Sequence, residues 1–146
     1  MILGIGSDLC DIRRIERSLD RFGRRFAERI FTAGEIARAE RRQGQSRAGT
    51  YAKRFAAKEA CAKALGTGFA QGVFMSDLEV LTRKGGQPAM SLTGGAASRL
   101  AALVPPGMSG RIDLTLTDEY PYAFAQVIIS AVPAAEAPQN RMASPL

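Results

Sequence analysis

The segment from Phe55 to Gly68 constrains this chain more than any other, because it sets ionisable side chains among alanines in a strongly helical stretch that stops at a glycine turn. Alanine is the best helix former, and glycine commonly ends a helix in the left-handed conformation. Residues four apart share a helix face, so Glu59 and Lys63 are neighbours. The sequence predicts a helix from about Thr50 to Leu65 that ends at Gly66, with one charged face and one smooth alanine face that another backbone can approach.

The charged face is typical of a site for a phosphate-bearing ligand. Mg²⁺ is usually held by one or two carboxylates together with the substrate's own phosphates. Glu59 supplies one carboxylate, and the cations around it are Arg54, Lys58 and Lys63. Taken alone, a Lys-Glu pair on a helix is more often a solvent-exposed ion pair that contributes well under ~1 kcal/mol. The site interpretation therefore requires a second carboxylate elsewhere in the chain.

The second carboxylate is Asp8, in an apolar run from Ile2 to Leu9 that predicts a strand. Side chains alternate along a strand, so Gly4, Gly6 and Asp8 lie on one face, and we expect open space in front of the carboxylate. An isolated aspartate here would more often be a turn or cap residue. Its occurrence together with the helix favours a two-carboxylate magnesium site formed by Asp8 and Glu59.

Basic residues are concentrated in the segment after this strand. The chain has 20 basic and 14 acidic residues, which gives a net charge of +6. Six of the basic residues form what we call the arginine surface: Arg13, Arg14, Arg17, Arg21, Arg24 and Arg25. If Asp11 caps a helix that bends at Gly23, an advance of about 100° per residue puts them opposite an apolar arc. The arc consists of Ile12, Ile15, Leu19, Phe22 and Phe26. A solvated basic face is the ordinary explanation of such a pattern, but arginine's planar fork suits carboxylates and phosphates. The segment therefore favours an acidic protein helix or a nucleic acid as partner.

The remaining pattern predicts a single α+β domain, because helices and antiparallel strands are interspersed in a chain of 146 residues. A Thr32-Ala33-Gly34-Glu35 capping box opens a helix to about Arg42. The other predicted elements are a loop at 44–49, hairpin strands at 78–82 and 89–92, a helix at 96–104, and final strands at 112–117 and 122–132. Residues 133–146 are predicted to be a mobile tail.

Composition excludes several classes of protein. The chain has two cysteines and no histidine, which removes Cys/His zinc sites and histidine-based catalytic triads. We expect Cys10 and Cys61 to be reduced and buried. No apolar run reaches the roughly twenty residues of a membrane span, and the amino terminus lacks a secretion signal. We therefore expect a cytoplasmic protein that does not act at a membrane.

Two signatures in this sequence resemble those of one family. The helix end reads Phe-x-x-Lys-Glu-Ala-x-x-Lys-Ala-x-Gly-Thr-Gly at 55–68, and Gly-x-Asp stands at 6–8. Both are similar to the signatures of the short, holo-acyl-carrier-protein-synthase type of the 4'-phosphopantetheinyl transferase superfamily. The resemblance extends through Gly86-Gln87-Pro88 to the strands around 114–118 and 127–129, so it covers residues 1 to 132.

The resemblance implies an α+β fold of the 4'-phosphopantetheinyl transferase type, in which an antiparallel sheet packs with a long helix and three chains form a homotrimer. It implies transfer of the 4'-phosphopantetheine group of coenzyme A to a serine hydroxyl of apo acyl carrier protein, with release of adenosine 3',5'-bisphosphate. The reaction is expected to depend on Mg²⁺ and to serve fatty acid biosynthesis. The active sites are expected at the subunit interfaces, with the apolar segment 124–129 covered by a neighbouring chain.

The functional residues of the family map onto this chain by their place in its motifs. Asp8 and Glu59 would bind Mg²⁺, and Glu59 and Lys63 would be catalytic. Coenzyme contacts are expected at Arg54, Lys58, Lys63, Gly66, Thr67 and Gly68, and contacts to acyl carrier protein at Arg14, Arg17, Arg21 and Arg24. The acceptor of the serine proton stays open between Glu59 and a metal-bound water.

One position departs from the family pattern. Many members carry histidine in a Ser-x-x-His pattern in the first of the final strands, whereas this chain reads Thr115-Leu116-Thr117-Asp118. No role is therefore transferred to Asp118.

Two alternatives to a phosphopantetheinyl transferase would each need a motif set that this sequence lacks. A nonenzymatic basic nucleic-acid-binding domain is suggested by the positive charge, but it would need aromatic residues or glycine loops among the arginines. A different Mg²⁺-dependent nucleotide enzyme would need a Gly-x-x-x-x-Gly-Lys-Ser/Thr loop, which the sequence lacks. Neither motif set is present, so no nucleic acid is expected as a partner.

Overall fold

A three-stranded antiparallel sheet, packed on one face against a 22-residue helix, forms the centre of the molecule. The structure, a computed structural model, describes residues 1–136. Its elements in chain order are β1 (Ile2–Asp11), α1 (Ile12–Phe22), α2 (Arg24–Ile30), α3 (Ala33–Glu40), α4 (Gly44–Leu65), β2 (Leu78–Thr82), β3 (Pro88–Leu92), α5 (Gly94–Leu103), β4 (Met108–Glu119) and β5 (Tyr122–Pro133). The strand order in the sheet is β1-β5-β4, and β2 and β3 form a separate hairpin. The predicted α+β class, with an antiparallel sheet on a long helix, is confirmed.

β1 lies directly on the backbone of α4 because two of its residues have no side chain. A Cβ atom at Gly4 would stand 1.9 Å from the carbonyl oxygen of Ala64, and one at Gly6 would stand 1.8 Å from that of Ala60. The glycines of β1 therefore fit the alanine face of α4, which confirms that this face admits another backbone. α4 thus occupies the space over Gly4 and Gly6, whereas the open space expected in front of the Asp8 carboxylate is present as a cavity that Asp8 lines.

The first turns of α4 were not predicted. The helix begins at Gly44, so the predicted loop at 44–49 is wrong. A Cβ at Gly49 would stand only 3.0 Å from the Asp118 carboxylate, so glycine allows these turns to lie close to β4. Arg47 also donates two hydrogen bonds to the carboxylate of the last residue of α3, at 2.8 and 2.9 Å. Such tertiary contacts outweigh the helix penalty of glycine, about 1 kcal/mol per residue.

α1 and α2 carry the arginine surface across the predicted bend. Asp11 caps α1 by accepting a hydrogen bond from the Arg13 amide at 3.0 Å, and Gly23 interrupts the helix at φ +56°. Phe22 belongs to the predicted apolar arc but is not buried. It is 53% exposed, and the Arg21 guanidinium lies 5.1 Å from its ring centroid. Helical periodicity predicts the direction in which the Phe22 side chain points. It does not predict burial, because α1 ends at this residue and the elements that bury the rest of the arc do not extend so far.

The other predicted elements are present with shifted limits. Thr32 accepts a hydrogen bond from the Glu35 amide at 3.3 Å, so the capping box opens α3 as predicted. β2 and β3 pair as the predicted hairpin, and β4 and β5 pair over their whole lengths. β4 starts at Met108, before its predicted start, because its pairing with β5 extends that far.

The end of the chain is described only in part. β5 runs to Pro133, and a short helical turn covers Ala134–Glu136. Residues 133–136 of the predicted tail are therefore in regular structure, and its residues 137–146 lie outside the described residues. Among residues 1–136, no helix combines the length and the apolarity that crossing a membrane requires.

Candidate active site

One cavity of about 330 Å³ collects Asp8, Glu59 and Lys63. It is lined by residues of β1, α1, α2 and α4, and Arg14 also lines it. The backbone contact between β1 and α4 is what brings the two signature segments to the same place. The sequence predicted that Asp8 and Glu59 act together, and the structure puts both in this cavity.

Lys63 connects the two elements that carry the carboxylates. Its ammonium donates to Asp8 Oδ1 at 3.2 Å and to the Ser7 carbonyl at 2.9 Å. The Lys63 side chain is 53% exposed and the Asp8 side chain 18%, so water screens this ion pair. Lys63 is therefore held over the cavity by an interaction that it can exchange for an anionic ligand.

Glu59 lies in surroundings that disfavour its charge. Burial raises the pKa of its carboxyl group above the usual value, the Asp8 carboxylate raises it further, and Lys63 opposes both. Two carboxylates that repel each other in one partly buried cavity form a site that a divalent cation stabilises. The residues therefore fit Mg²⁺, which takes one or two carboxylates from a protein and fills its other positions with phosphate oxygens and water.

Glu59→Gln should make the metal-free protein more stable at neutral pH. The pKa of Glu59 is raised on folding, so the folded protein binds the proton of this carboxyl group more tightly than the unfolded chain does. Protonated Glu59 therefore stabilises the folded state, and this stabilisation is lost as pH rises through the raised pKa. Urea unfolding should show a higher midpoint for the variant at pH 7, with the difference shrinking below the ordinary glutamate pKa of about 4.3. A midpoint that is equal at both pH values would contradict the described surroundings of Glu59.

Lys58 does not reach the cavity, contrary to its predicted place at a coenzyme phosphate. Its side chain is 0% exposed, and its ammonium lies 2.6 Å from Glu35 Oε1. It also donates to the backbone carbonyls of Ile30 at 2.9 Å, Met75 at 3.1 Å and Leu78 at 2.7 Å. One buried ammonium thus ties α2, α3 and the start of β2 to α4, and no donor is left for a ligand.

Glu35 is the anion that balances Lys58. Besides the ion pair, it accepts hydrogen bonds from the Thr32 amide and the Val80 amide, each at 2.9 Å. The sequence indicated Glu35 only as the capping-box residue of α3. Its second function requires β2 and α4 to pack on α3, which a local pattern does not reveal.

Arg54 is also buried, at 4% exposed, and it does not line the cavity of its own chain. Its Nη1 lies 3.5 Å from the Thr50 carbonyl, and within the described residues its Nε has no hydrogen-bond partner. Burial, followed by the nearby Arg38 guanidinium, lowers the pKa of Arg54 to about 10. A buried guanidinium with an unmet donor is costly, and a phosphate would stabilise it.

The glycine turn after α4 has the predicted form. Gly66 ends the helix at φ +80°, and the Gly68 amide donates to the Ala62 carbonyl at 3.1 Å. Arg99 of α5, which the sequence did not indicate, donates from Nε to the Leu65 carbonyl at 2.9 Å. No local signal could have found this contact, because the two residues are 34 positions apart.

The arginine surface borders the cavity through Arg14. Arg17 and Arg21 are exposed farther along α1. Arg24 forms an exposed ion pair with Glu28 at 2.5 Å, so it is less available to a partner than the other three. A protein that binds along this surface would reach over the two carboxylates.

Asp118 lies away from the cavity. Its carboxylate pairs with Lys53 of α4 at 3.1 Å. Asp118 is thus an ion-paired carboxylate that helps to fix β4 on α4.

Both cysteines are free and buried, as predicted. Burial raises the pKa of the Cys10 thiol to about 11 and that of Cys61 to about 12. Cys10 lines the cavity, but its thiol is protonated near neutral pH and therefore a poor nucleophile.

Comparison with known proteins gives a consistent result. The family model described as the 4'-phosphopantetheinyl transferase superfamily matches residues 4–125. A holo-[acyl-carrier-protein] synthase of Granulibacter bethesdensis is 69% identical over 133 residues, which cover 91% of this chain and 92% of the relative. One of a Methylobacterium species is 64% identical over 132 residues, 90% of this chain and 96% of the relative.

Solved structures agree with these matches. The holo-[acyl-carrier-protein] synthase of Neisseria meningitidis superposes with a TM-score of 0.76 at 34% identity, covering 89% of this chain and 99% of that one. The holo-(acyl-carrier-protein) synthase of Bacillus anthracis, described as a complex with CoA (3',5'-ADP), gives a TM-score of 0.73 at 32% identity, covering 90% of this chain and 99% of that one.

Proposed function

The chain belongs to the 4'-phosphopantetheinyl transferase superfamily, and from that premise we propose that it transfers the 4'-phosphopantetheine group of coenzyme A to a serine hydroxyl of an apo acyl carrier protein. Adenosine 3',5'-bisphosphate leaves, and the modified carrier serves fatty acid biosynthesis. The cavity in which Asp8, Glu59 and Lys63 meet carries the proposal, since it unites the two signature segments. Membership in a transferase family leaves the nucleic-acid-binding alternative without support.

Asp8 and Glu59 are the residues that would hold Mg²⁺, which when bound supplies positive charge to the diphosphate of coenzyme A. The contribution of the chain is to present the two carboxylates in a fixed relation. Asp8 comes from β1 and Glu59 from α4, and the lack of side chains at Gly4 and Gly6 lets these two elements pack backbone to backbone, which sets their spacing. A rigid pair of carboxylates costs little reorganisation when substrate binds.

Lys63 and Glu59 act on the reacting groups. The Lys63 ammonium leaves Asp8 for an oxygen of the transferred phosphoryl group, where it stabilises charge that builds up in the transition state. The raised pKa of Glu59 belongs to the metal-free site, so it does not choose the acceptor of the serine proton, which stays open between Glu59 and a metal-bound water. These two residues lie one turn apart on α4, so they approach the phosphorus from one side.

The rest of the coenzyme is assigned to two further places. The backbone of Gly66, Thr67 and Gly68 lies at the end of α4, where the absence of side chains on the two glycines admits a close ligand. The buried guanidinium of Arg54, with its unmet Nε, suits a phosphate. Lys58 has no part in this assignment, because its donors are used within the core.

Incubation with coenzyme A, Mg²⁺ and an apo acyl carrier protein tests the proposal. Mass spectrometry should show that the carrier gains one phosphopantetheine arm, with adenosine 3',5'-bisphosphate released in equal amount. A carrier whose acceptor serine is replaced by alanine is the control and should gain nothing. An unmodified wild-type carrier after long incubation would refute the proposed function.

Arg17→Glu or Arg21→Glu, on the part of the arginine surface outside the cavity, should raise KM for the carrier protein about tenfold and weaken its salt dependence, because exposed arginines steer an acidic surface. KM for coenzyme A should change little. Arg41→Glu, at the exposed end of α3, gives the same change of charge away from the arginine surface and should leave both constants unchanged. An equal rise of both constants would mean that the arginine surface binds the nucleotide instead.

We propose a homotrimer with active sites at its interfaces. The face of the sheet away from α4 exposes apolar side chains, since Ile5 is 56% and Leu9 64% exposed. Their partners on β5 are Ile128 and Phe124, which are half-buried. An apolar sheet face of this kind favours burial against another chain. Only alternate residues of 124–129 lie on it, because the others are buried under α4.

Mixing inactive variants tests this assembly. Arg54 lies away from the cavity of its own chain, so a coenzyme contact at Arg54 would serve the cavity of a neighbour. Asp8→Ala mixed with Arg54→Ala should then regain part of the activity after subunit exchange. Asp8→Ala mixed with Glu59→Ala should stay inactive, because both residues line the same cavity. A monomer by analytical ultracentrifugation with full activity would exclude the trimer.

A further inference from the structure

The end of α4 is an electrostatically unfavourable place for the anionic coenzyme that the proposed function puts there. A helix carries about half a negative charge at its carboxyl end, where its last carbonyl groups point outward. Lys63 lies in the last turn of α4, and the glycine turn at 66–68 follows directly. A phosphate beside this turn therefore needs a cation that offsets the negative partial charge at the end of α4.

Arg99 of α5 provides a cation at this place. Its Nε donates to the carbonyl of Leu65, the last residue of α4, at 2.9 Å. Its Nη2 lies 3.4 Å from the point where a Cβ on Gly66 would stand, so the guanidinium lies against the glycine turn itself. The side chain reaches both groups from a separate helix, which holds α5 on the end of α4.

The guanidinium has more donors than this contact uses. Arginine carries five N–H groups in a planar fork, and within the described residues Arg99 forms one hydrogen bond and no ion pair. The residue is half-buried, so the remaining donors are partly shielded from water. Partly desolvated, charge-assisted donors bind a phosphate more strongly than exposed ones do.

We propose that Arg99 is a coenzyme-binding residue. One edge of its guanidinium holds the Leu65 carbonyl, and the Nη groups donate to a phosphate of coenzyme A that lies along Gly66 and Gly68. The inference rests on the proposed function, because it takes coenzyme A as the ligand of the glycine turn. A planar fork can meet a carbonyl with one edge and a phosphate with the other, which the single ammonium of lysine cannot do.

Arg99→Lys and Arg99→Met separate ligand binding from helix capping. Lysine keeps the positive charge and one donor for the Leu65 carbonyl, whereas methionine keeps neither. In calorimetric titrations with Mg²⁺, Arg99→Lys should bind coenzyme A about tenfold more weakly than wild type with an unchanged melting temperature, and Arg99→Met should bind more weakly still. KM for the carrier protein should not change. Arg41→Met removes the same charge from the exposed end of α3 and should bind coenzyme A as wild type does.

The outcomes separate this inference from the proposed function. Unchanged affinity for coenzyme A in both Arg99 variants, with active wild-type protein, would make Arg99 a helix cap only and overturn the inference alone. A wild-type protein that binds coenzyme A but modifies no carrier would overturn the proposed function alone. Adenosine 3',5'-bisphosphate identifies which phosphate Arg99 contacts: a similar loss of its affinity supports one of the two phosphates that it shares with coenzyme A. No loss, with coenzyme A still bound more weakly, supports the phosphate on the pantetheine side, which the bisphosphate lacks.

Discussion

Alanine at Asp8 or at Glu59 is expected to lower the rate of phosphopantetheine transfer by about three orders of magnitude while the protein stays folded. Metal binding at the two carboxylates contributes several kcal/mol of transition-state stabilisation, and each 1.4 kcal/mol changes the rate about tenfold. Neither side chain is part of the apolar core, so the circular dichroism spectrum should stay that of wild type and the melting temperature should not fall substantially. The rate is measured as the initial gain of carrier mass at saturating coenzyme A and Mg²⁺.

Glu119→Ala is the matched control for this loss. Glu119 is an exposed carboxylate at the end of β4 and does not line the cavity. Its removal changes the net charge by the same amount and should leave the rate unchanged. Near-normal turnover in either the Asp8 or the Glu59 variant would remove that residue from the proposed metal site.

Lys58→Met is expected to lower the free energy of unfolding by about 3–5 kcal/mol, because it leaves the Glu35 carboxylate buried without its counter-ion. Both side chains are 0% exposed, so water cannot replace the lost partner. Domains of this size are stable by only about 5–15 kcal/mol. Urea unfolding should therefore show a much lower midpoint, and activity should fall with the folded fraction.

A double variant shows whether the buried charge is the cause. In Lys58→Met with Glu35→Gln no uncompensated charge remains, and glutamine can still complete the capping box of α3. The double variant should therefore be more stable than Lys58→Met alone. A Lys58→Met protein with wild-type stability and weakened binding of coenzyme A would instead restore the role at a coenzyme phosphate that the motif suggested.

Features that depend on a few consecutive residues could be predicted from the sequence. The Asp11 cap, the bend at Gly23, the capping box that begins at Thr32 and the helix end at Gly66 are all present. Each follows from backbone preferences and hydrogen bonds that close within one helical turn. The grouping of Asp8 with Glu59 also came from the sequence, although it relied on the resemblance to a family as well as on the pattern.

Lys58 and Glu59 show where such prediction stops. They are adjacent, and helical periodicity gives the rotation of about 100° between their side chains. It does not give what packs on each side of the helix. Glu59 enters the cavity, whereas Lys58 enters the core, where Glu35 and three carbonyl groups surround its ammonium. Lys58 and Glu59 look equally available in the motif, but Glu59 belongs to the candidate site and Lys58 has a structural role.

The sequence by itself determined most local elements of this protein, the alanine face of α4 that another backbone can approach, and the two carboxylates of the candidate site. Only the tertiary structure decided that α4 begins at Gly44, that Lys58 is an internal ion-pair partner, and that Arg99 lies at the end of α4. The physical reason is the same in all three cases. Periodicity and propensity specify where a side chain points on its own element, whereas its burial, charge balance and partners depend on residues far away in the chain that folding brings opposite to it.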